Sequence, residues 1–138
     1  MTKLRPSQVE DWITEKANRA FSRHIQFDQG RLVKACPANT GRMASSFFIG
    51  RSKPDTSTRP EDWAPEGAER REAKDYSGQI EMDGTWHMSN NVPYAQRVAY
   101  DPKWSKGGVV GGSAWFTSIA NASRGRLEEE LRKEFRGQ

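Results

Sequence analysis

The chain has 138 residues, 34% hydrophobic and 29% charged, with a formal net charge of +4. Five Trp, six Phe and three Tyr permit a modest core in spite of that polarity, because each aromatic buries a large area. A single cysteine, Cys36, excludes an intrachain disulfide, the N-terminus lacks the apolar run of a signal peptide, and no stretch approaches the roughly 18 apolar residues of a membrane helix. These features predict one small soluble domain over residues 1–138, made in a reducing cytosol.

The N-terminal third reads as one long amphipathic helix. Val9, Trp12, Ile13, Ala17, Ala20, Phe21, His24 and Ile25 recur at three- and four-residue spacing, the period of one helix face. Ser7 is the expected N-cap, with Glu10 completing a capping box. The face continues through Leu32 to Ala35 and Cys36, weakened at Asp28 and Gly30, and Pro37 ends it. After a turn at Asn39-Thr40-Gly41, the alternation of Met43, Ser45, Phe47 and Ile49 predicts a mostly buried strand over Arg42 to Gly50. Residues 51–75, with Pro54, Pro60, Pro65 and Gly67 among dense charge, read as a long flexible loop.

A hairpin is expected over Gln79 to Ser89 around Asp83-Gly84. A two-residue Asp-Gly turn would put Ile80 and Met82 on the face opposite Trp86 and Met88, whereas a three-residue turn including Thr85 places all four on one face and is favoured if only one face is buried. Pro93 opens a short helix over Tyr94 to Tyr100. The glycine-rich run 107–112 is a pliable connector, and a last helix runs from Ser113 to about Arg136. Its stripe is Phe116, Ile119, Ser123, Leu127, Leu131 and Phe135, with Gly125 as its weak point. Glu128–Arg132 and Glu129–Lys133 have the favourable i,i+4 order for surface ion pairs.

The fold class that follows is α+β: a long N-terminal helix and a C-terminal helix packed on a small antiparallel sheet, with a long flexible loop between strands. Little supports enzyme chemistry. His24, His87 and Cys36 are not in metal-ligand spacing, Glu81 and Asp83 read as solvated strand-edge charges, and Lys106 with its glycines lacks the Gly-Lys-Ser/Thr ending of a phosphate loop. No catalytic residue, cofactor or metal is expected. Charge is uneven: residues 51–83 hold six basic and nine acidic residues, whereas 1–36 hold seven against four and 97–138 eight against five. Basic ends around an acidic middle suit contact between identical subunits or with nucleic acid. Arg97, Tyr100, Lys103, Trp104 and Lys106 interleave base and aromatic ring, which suits either role.

Three separated pieces carry a family resemblance. Cys36-Pro37-Ala38-Asn39-Thr40-Gly41-Arg42-Met43, after the long helix, resembles the Pro-x-Asp-Thr-Gly-Arg-Leu/Met junction of the tail-completion proteins of long-tailed bacteriophages. Met88-Ser89-Asn90-Asn91-Val92-Pro93-Tyr94-Ala95 is similar to their Asn-x-x-Pro-Tyr-Ala, and Arg97-Val98-Ala99-Tyr100 to the Val-Glu-Tyr-Gly that follows. Asn39, Ala99 and Asp101 depart from the usual Asp, Glu and Gly, and the glycine-rich run replaces Ala-Pro-x-Gly-Met. The resemblance, spanning about residues 8–125, implies a tail-completion or head–tail joining subunit. It would assemble as a ring, hexameric in its expected form, at the phage neck, where DNA passes through the lumen. Its partners would be further copies of itself, connector or head-closure, terminator and tube proteins, and transient non-specific DNA. It would be made in the bacterial host cytoplasm and end in the virion. Tyr94, Arg97, Tyr100 and Trp104 are the expected subunit-interface residues, and Arg51, Lys53, Lys103 and Lys106 the expected lumen-facing ones. A tail terminator and a small basic nucleic-acid-binding protein are the alternatives.

Overall fold

The computed structural model describes residues 5–37, 41–64, 70–100 and 115–136. Its elements are α1 (Pro6–Ala35), a single turn α2 (Gly41–Ala44), β1 (Phe48–Arg51), β2 (Trp86–Ser89), α3 (Ala95–Tyr100) and α4 (Trp115–Phe135). The expected α+β arrangement of two long helices on a small antiparallel sheet is present. The glycine-rich run, Trp104 and the start of the last helix at Ser113 lie outside the described residues.

Helix α1 starts earlier than Ser7, with Arg5 at the cap and Pro6 in the first turn. Proline presets φ for that position and lacks the N–H that would go unpaired there. The capping acceptor is Gln8, whose Oε1 takes the Arg5 N–H at 2.8 Å. The helix ends as expected before Pro37, with the Cys36 N–H on Leu32 O at 3.0 Å. Its face divides in two: Ala20, His24, Ile25, Asp28, Leu32 and Val33 are buried, whereas Val9, Trp12 and Ile13 are exposed.

The stretch expected to be one strand over Arg42 to Gly50 is half helical turn and half strand. Ser45 N–H reaches Gly41 O at 3.0 Å, and the Ser46 hydroxyl donates to Arg42 O at 2.6 Å. A serine that bonds back four residues closes a helical turn and competes with the sheet ladder. β1 then pairs antiparallel with β2, Phe48 opposite Ser89 and Arg51 opposite Trp86.

The expected hairpin over Gln79 to Ser89 does not form, because β2 takes β1 as its partner. Gly84 keeps a positive φ of 68°, so the chain does turn at Asp83-Gly84. The polar groups before that turn are engaged elsewhere: Trp86 Nε1 donates to Glu81 O and Asp83 O, at 2.8 and 3.0 Å, and Met82 N–H goes to Asn18 Oδ1 at 2.7 Å. Ile80 still reaches the core, beside Ile25 and Ile49.

The connection between the strands has no helix or strand at its described residues, and side chains tie it down. The buried Ser45 hydroxyl donates to Arg70 O at 3.1 Å and accepts the Glu72 N–H at 2.8 Å. Arg59 donates to Ser45 O at 2.9 Å, and Gln29 of α1 divides its amide between Phe47 O and Lys74 O, at 2.8 and 2.9 Å. Trp63 lies between Arg59 and Arg70, 4.1 and 3.4 Å from its ring centroid.

A second cluster gathers Leu32, Val33, Met43, Phe47, Val98 and Trp115. Trp115, just ahead of the expected stripe of the last helix, is fully buried, edge-on to Phe47 and Phe116, with Nε1 directed at Val98 O at 3.4 Å. Among the described residues of α4 the ion pair formed within the helix is Arg124–Glu128 at 3.6 Å, in place of the two expected. Glu130 and Glu134 turn instead to Arg23 of α1.

The glycines make a paired test. A Cβ at Gly50 would sit 2.4 Å from Lys53 O and 2.7 Å from Asp55 N, whereas at Gly30 and Gly125, inside helices, it meets nothing within 4 Å. Gly50→Ala is expected to destabilise by about 1–3 kcal/mol. Gly30→Ala and Gly125→Ala should each stabilise by about 1 kcal/mol. Urea unfolding followed by circular dichroism checks all three.

Candidate functional site

Polar residues on the apolar faces of the two long helices meet in one buried cluster. Asp28, 8% exposed, accepts from Ser123 Oγ at 2.5 Å on one oxygen. Its other oxygen takes Arg126 Nε at 2.9 Å and Arg31 at 3.1 Å. His24 Nε2 lies 3.1 Å from Ser123 Oγ. Because the serine's one proton goes to Asp28, His24 must donate its Nε2–H to that oxygen. Nδ1 is then the bare acceptor, buried and without a hydrogen-bond partner. Arg126 also donates to Ile119 O at 2.6 Å, which fixes the guanidinium against its own helix.

The electrostatics follow from that geometry. Burial pushes His24 below its usual value, and the Arg126 and Arg31 charges outweigh, together with it, the opposing pull of Asp28. Burial alone would raise Asp28, but the bonds from Arg126 and Ser123 hold it below the ordinary carboxylate value. The cluster is thus a neutral ring, a carboxylate and two guanidiniums.

Beside it a groove of about 520 Å³ runs between α1, α3 and α4. Phe21, Met43, Phe47 and Trp86 line it with apolar surface, and Tyr100 stacks edge-on to Phe116 at its lip, 5.6 Å between centroids. His24, Asp28 and Ser123 reach one wall, already bonded to one another or to Arg126.

The expected interface residues fall around α3. Tyr94 is half-buried ahead of the helix, and Arg97 and Tyr100 are exposed upon it. Burial raises the Tyr94 phenol and the nearby Arg42 charge opposes that rise. Trp104, Lys103 and Lys106 lie outside the described residues. Lys53 is exposed, but Arg51 is engaged: it pairs with Asp83 at 2.8 Å and lies over the Trp86 ring at 5.4 Å. Among the described residues no three His, Cys, Asp or Glu side chains come together as a metal site, and no helix is long and apolar enough to cross a membrane.

The sequence reading missed the Asp28 cluster, although both halves left a trace. Asp28 and His24 occupy apolar-face positions of α1, and Ser123 sits within the apolar stripe of α4. A polar residue on each of two facing stripes is the signal for a buried pairing.

Asp28→Asn should therefore destabilise by about 3 kcal/mol, because it leaves Arg126 and Arg31 without their counter-charge. The pH dependence has a definite sign. With His24 lowered from 6.5, folding favours the neutral ring, so its contribution is complete above pH 6.5 and declines as pH falls below that value. Asp28, lowered from 3.8, contributes above that value and loses its contribution only as pH falls through its folded value. Urea midpoints at pH 7.5 and 5.5 should separate in the wild type and come closer together in His24→Leu.

Comparison with family models, with curated proteins and with solved structures yields no match.

Proposed function

We propose that this chain is a structural, non-enzymatic virion subunit, a ring-forming tail-completion or head–tail joining protein at the neck of a long-tailed phage. The observation that carries this reading is the contact between the two motifs that resemble that family. The first stands between α1 and β1 and includes the start of α2, and the second joins β2 to α3. Asn90 of the second donates Nδ2 to Met43 O of the first at 2.7 Å, across 47 positions of sequence. Separate motifs that meet in one junction form a structural unit, and their meeting supports the resemblance better than either short motif alone.

The buried cluster supports the non-enzymatic part. A nucleophilic serine gives its proton to a base that activates it. Here Ser123 hydrogen-bonds to Asp28, a carboxylate held below its ordinary value and so too weak a base to take a hydroxyl proton. The stronger base, His24, donates to the serine instead of accepting from it. The aromatic and basic surface of α3, with Arg97 and Tyr100 exposed, suits a contact between ring neighbours.

Light scattering over a wide concentration range, with negative-stain imaging, tests the ring. Closed assemblies, hexameric in the expected case, should appear at high concentration and be lost in Tyr100→Ala, whereas a chain that stays monomeric throughout removes the proposal. DNA contact in a lumen is sequence-blind, so duplex should bind no better than ~10⁻⁴–10⁻⁶ M and weaken steeply with salt. Nanomolar, salt-resistant binding would instead favour a dedicated nucleic-acid-binding protein.

A further inference from the structure

We propose that the free end of the α1–α4 pair is a two-fold contact between two copies of this chain. The helices run antiparallel, and α4 ends where Phe135 meets Trp12 edge-on, with centroids 6.0 Å apart. α1 extends past that point to Pro6, and among the described residues no helix lies beside that extension. Val9, Trp12 and Ile13 share a face by their spacing, and with Phe135 they form one apolar patch. They are 37%, 43%, 47% and 38% exposed. A contiguous apolar patch is more informative than scattered exposed residues, since it marks a surface that something covers.

The surrounding charge identifies the occupant. Inside the chain, Arg19 and Arg23 of α1 pair with Glu134 and Glu130 of α4, at 2.8 to 3.2 Å. Beyond those pairs, and beyond Lys16, which donates to Glu134 O and lies over the Trp12 ring at 4.9 Å, the balance of sign reverses. α1 carries exposed Glu10, Asp11 and Glu15 against Arg5 at its cap, and α4 carries exposed Arg132, Lys133 and Arg136. None of the three acids or the three α4 cations forms an ion pair among the described residues. A partner of one sign would meet like charge on one of the two helices. A second copy turned by a two-fold axis does not: each acidic α1 end faces the other copy's basic α4 end, and the apolar patch meets itself.

This contact does not rest on the ring. The α3 surface borders the other end of α4, about 30 Å away along the helix at 1.5 Å per residue. The test is sedimentation of the full chain over a range of concentrations. The wild type should show a dimer, and Ile13→Glu should raise its dissociation constant at least tenfold. Reversing the acidic set (E10K, D11K, E15K) or the basic set (R132E, K133E, R136E) should each abolish the dimer. Mixing the two reversed proteins should restore it, because every facing pair is then opposite in sign again, and that rescue separates a lost contact from a damaged fold. Dimers in either reversed protein alone, a mixture that stays monomeric, or a wild type without dimers would overturn the proposal. Tyr100→Ala should keep the dimer, so failure of the ring and failure of this contact are told apart.

Discussion

The carboxylate of Asp28 sets where α4 lies along α1. It takes Ser123 and Arg126 from a helix nearly a hundred positions away, and Arg31 from its own. A buried charge is costly to leave uncompensated, so the helices cannot slide by a turn without stranding it. The remaining contacts follow from that register. Successive turns of α4 bring Glu130 and Glu134 to Arg23, and Phe135 to Trp12. Lys16 then donates to Glu134 O at 3.1 Å near the end of the pair.

The sheet depends on this frame more than it supports it. A two-stranded ribbon is marginal by itself in water, and here each strand has four residues. Stability comes from what lies on either side: Ile49 against Ile25 and Ile80 in one cluster, Phe47 against Trp115 in the other. The connector takes over work that further strands would do. Arg59, Ser45 and Gln29 supply donors to backbone carbonyls that have no ladder partner. Long irregular segments persist in folded proteins only when their buried backbone groups are satisfied in some such way.

What could be read from the sequence divides along the same line. The two long helices, their periodic faces and the stop at Pro37 follow from spacing and local chemistry, so the α+β arrangement was legible. Local signals failed where a distant group decided. Asp28 counts as a break in an apolar stripe until Arg126 is known to lie beside it. Asp83-Gly84 is a strong turn signal and does turn, yet β2 pairs with β1 because the polar groups before the turn bond to Asn18 and to the Trp86 indole. Ser45 and Ser46 fit strand alternation equally well as they fit a helical turn, and only their bonds to Arg42 and Arg70 separate the two. Of the expected site residues, Arg97 and Tyr100 are exposed on α3, whereas Arg51 is held by an acid that spacing alone could not assign to it.

The charge pattern shows why that last distinction matters. Along the sequence the ends are basic and the middle acidic, which suggests a basic surface ready for an acidic partner. Folding removes much of that contrast. The basic α1 residues Arg19 and Arg23 meet glutamates of the equally basic C-terminal segment, and acidic Asp83 meets Arg51 within its own segment. The arginines of the connector face backbone carbonyls and a tryptophan ring. A guanidinium already bonded on both edges must break those bonds before it can hold a phosphate, so its formal charge overstates its worth to DNA. Among the described residues the exposed cations without an ion pair are fewer, and they are sorted by place: Arg5 and Lys34 at the two ends of α1, Lys53 beyond the sheet, Lys74 over the Phe48 ring, Arg97 on α3, and Arg132, Lys133 and Arg136 at the end of α4. Net charge of +4 therefore describes the chain, whereas partner choice is governed by which of those cations stand beside exposed apolar surface. The end of α4 combines both, and opposite it on α1 stand the acids that make the surface complementary to itself.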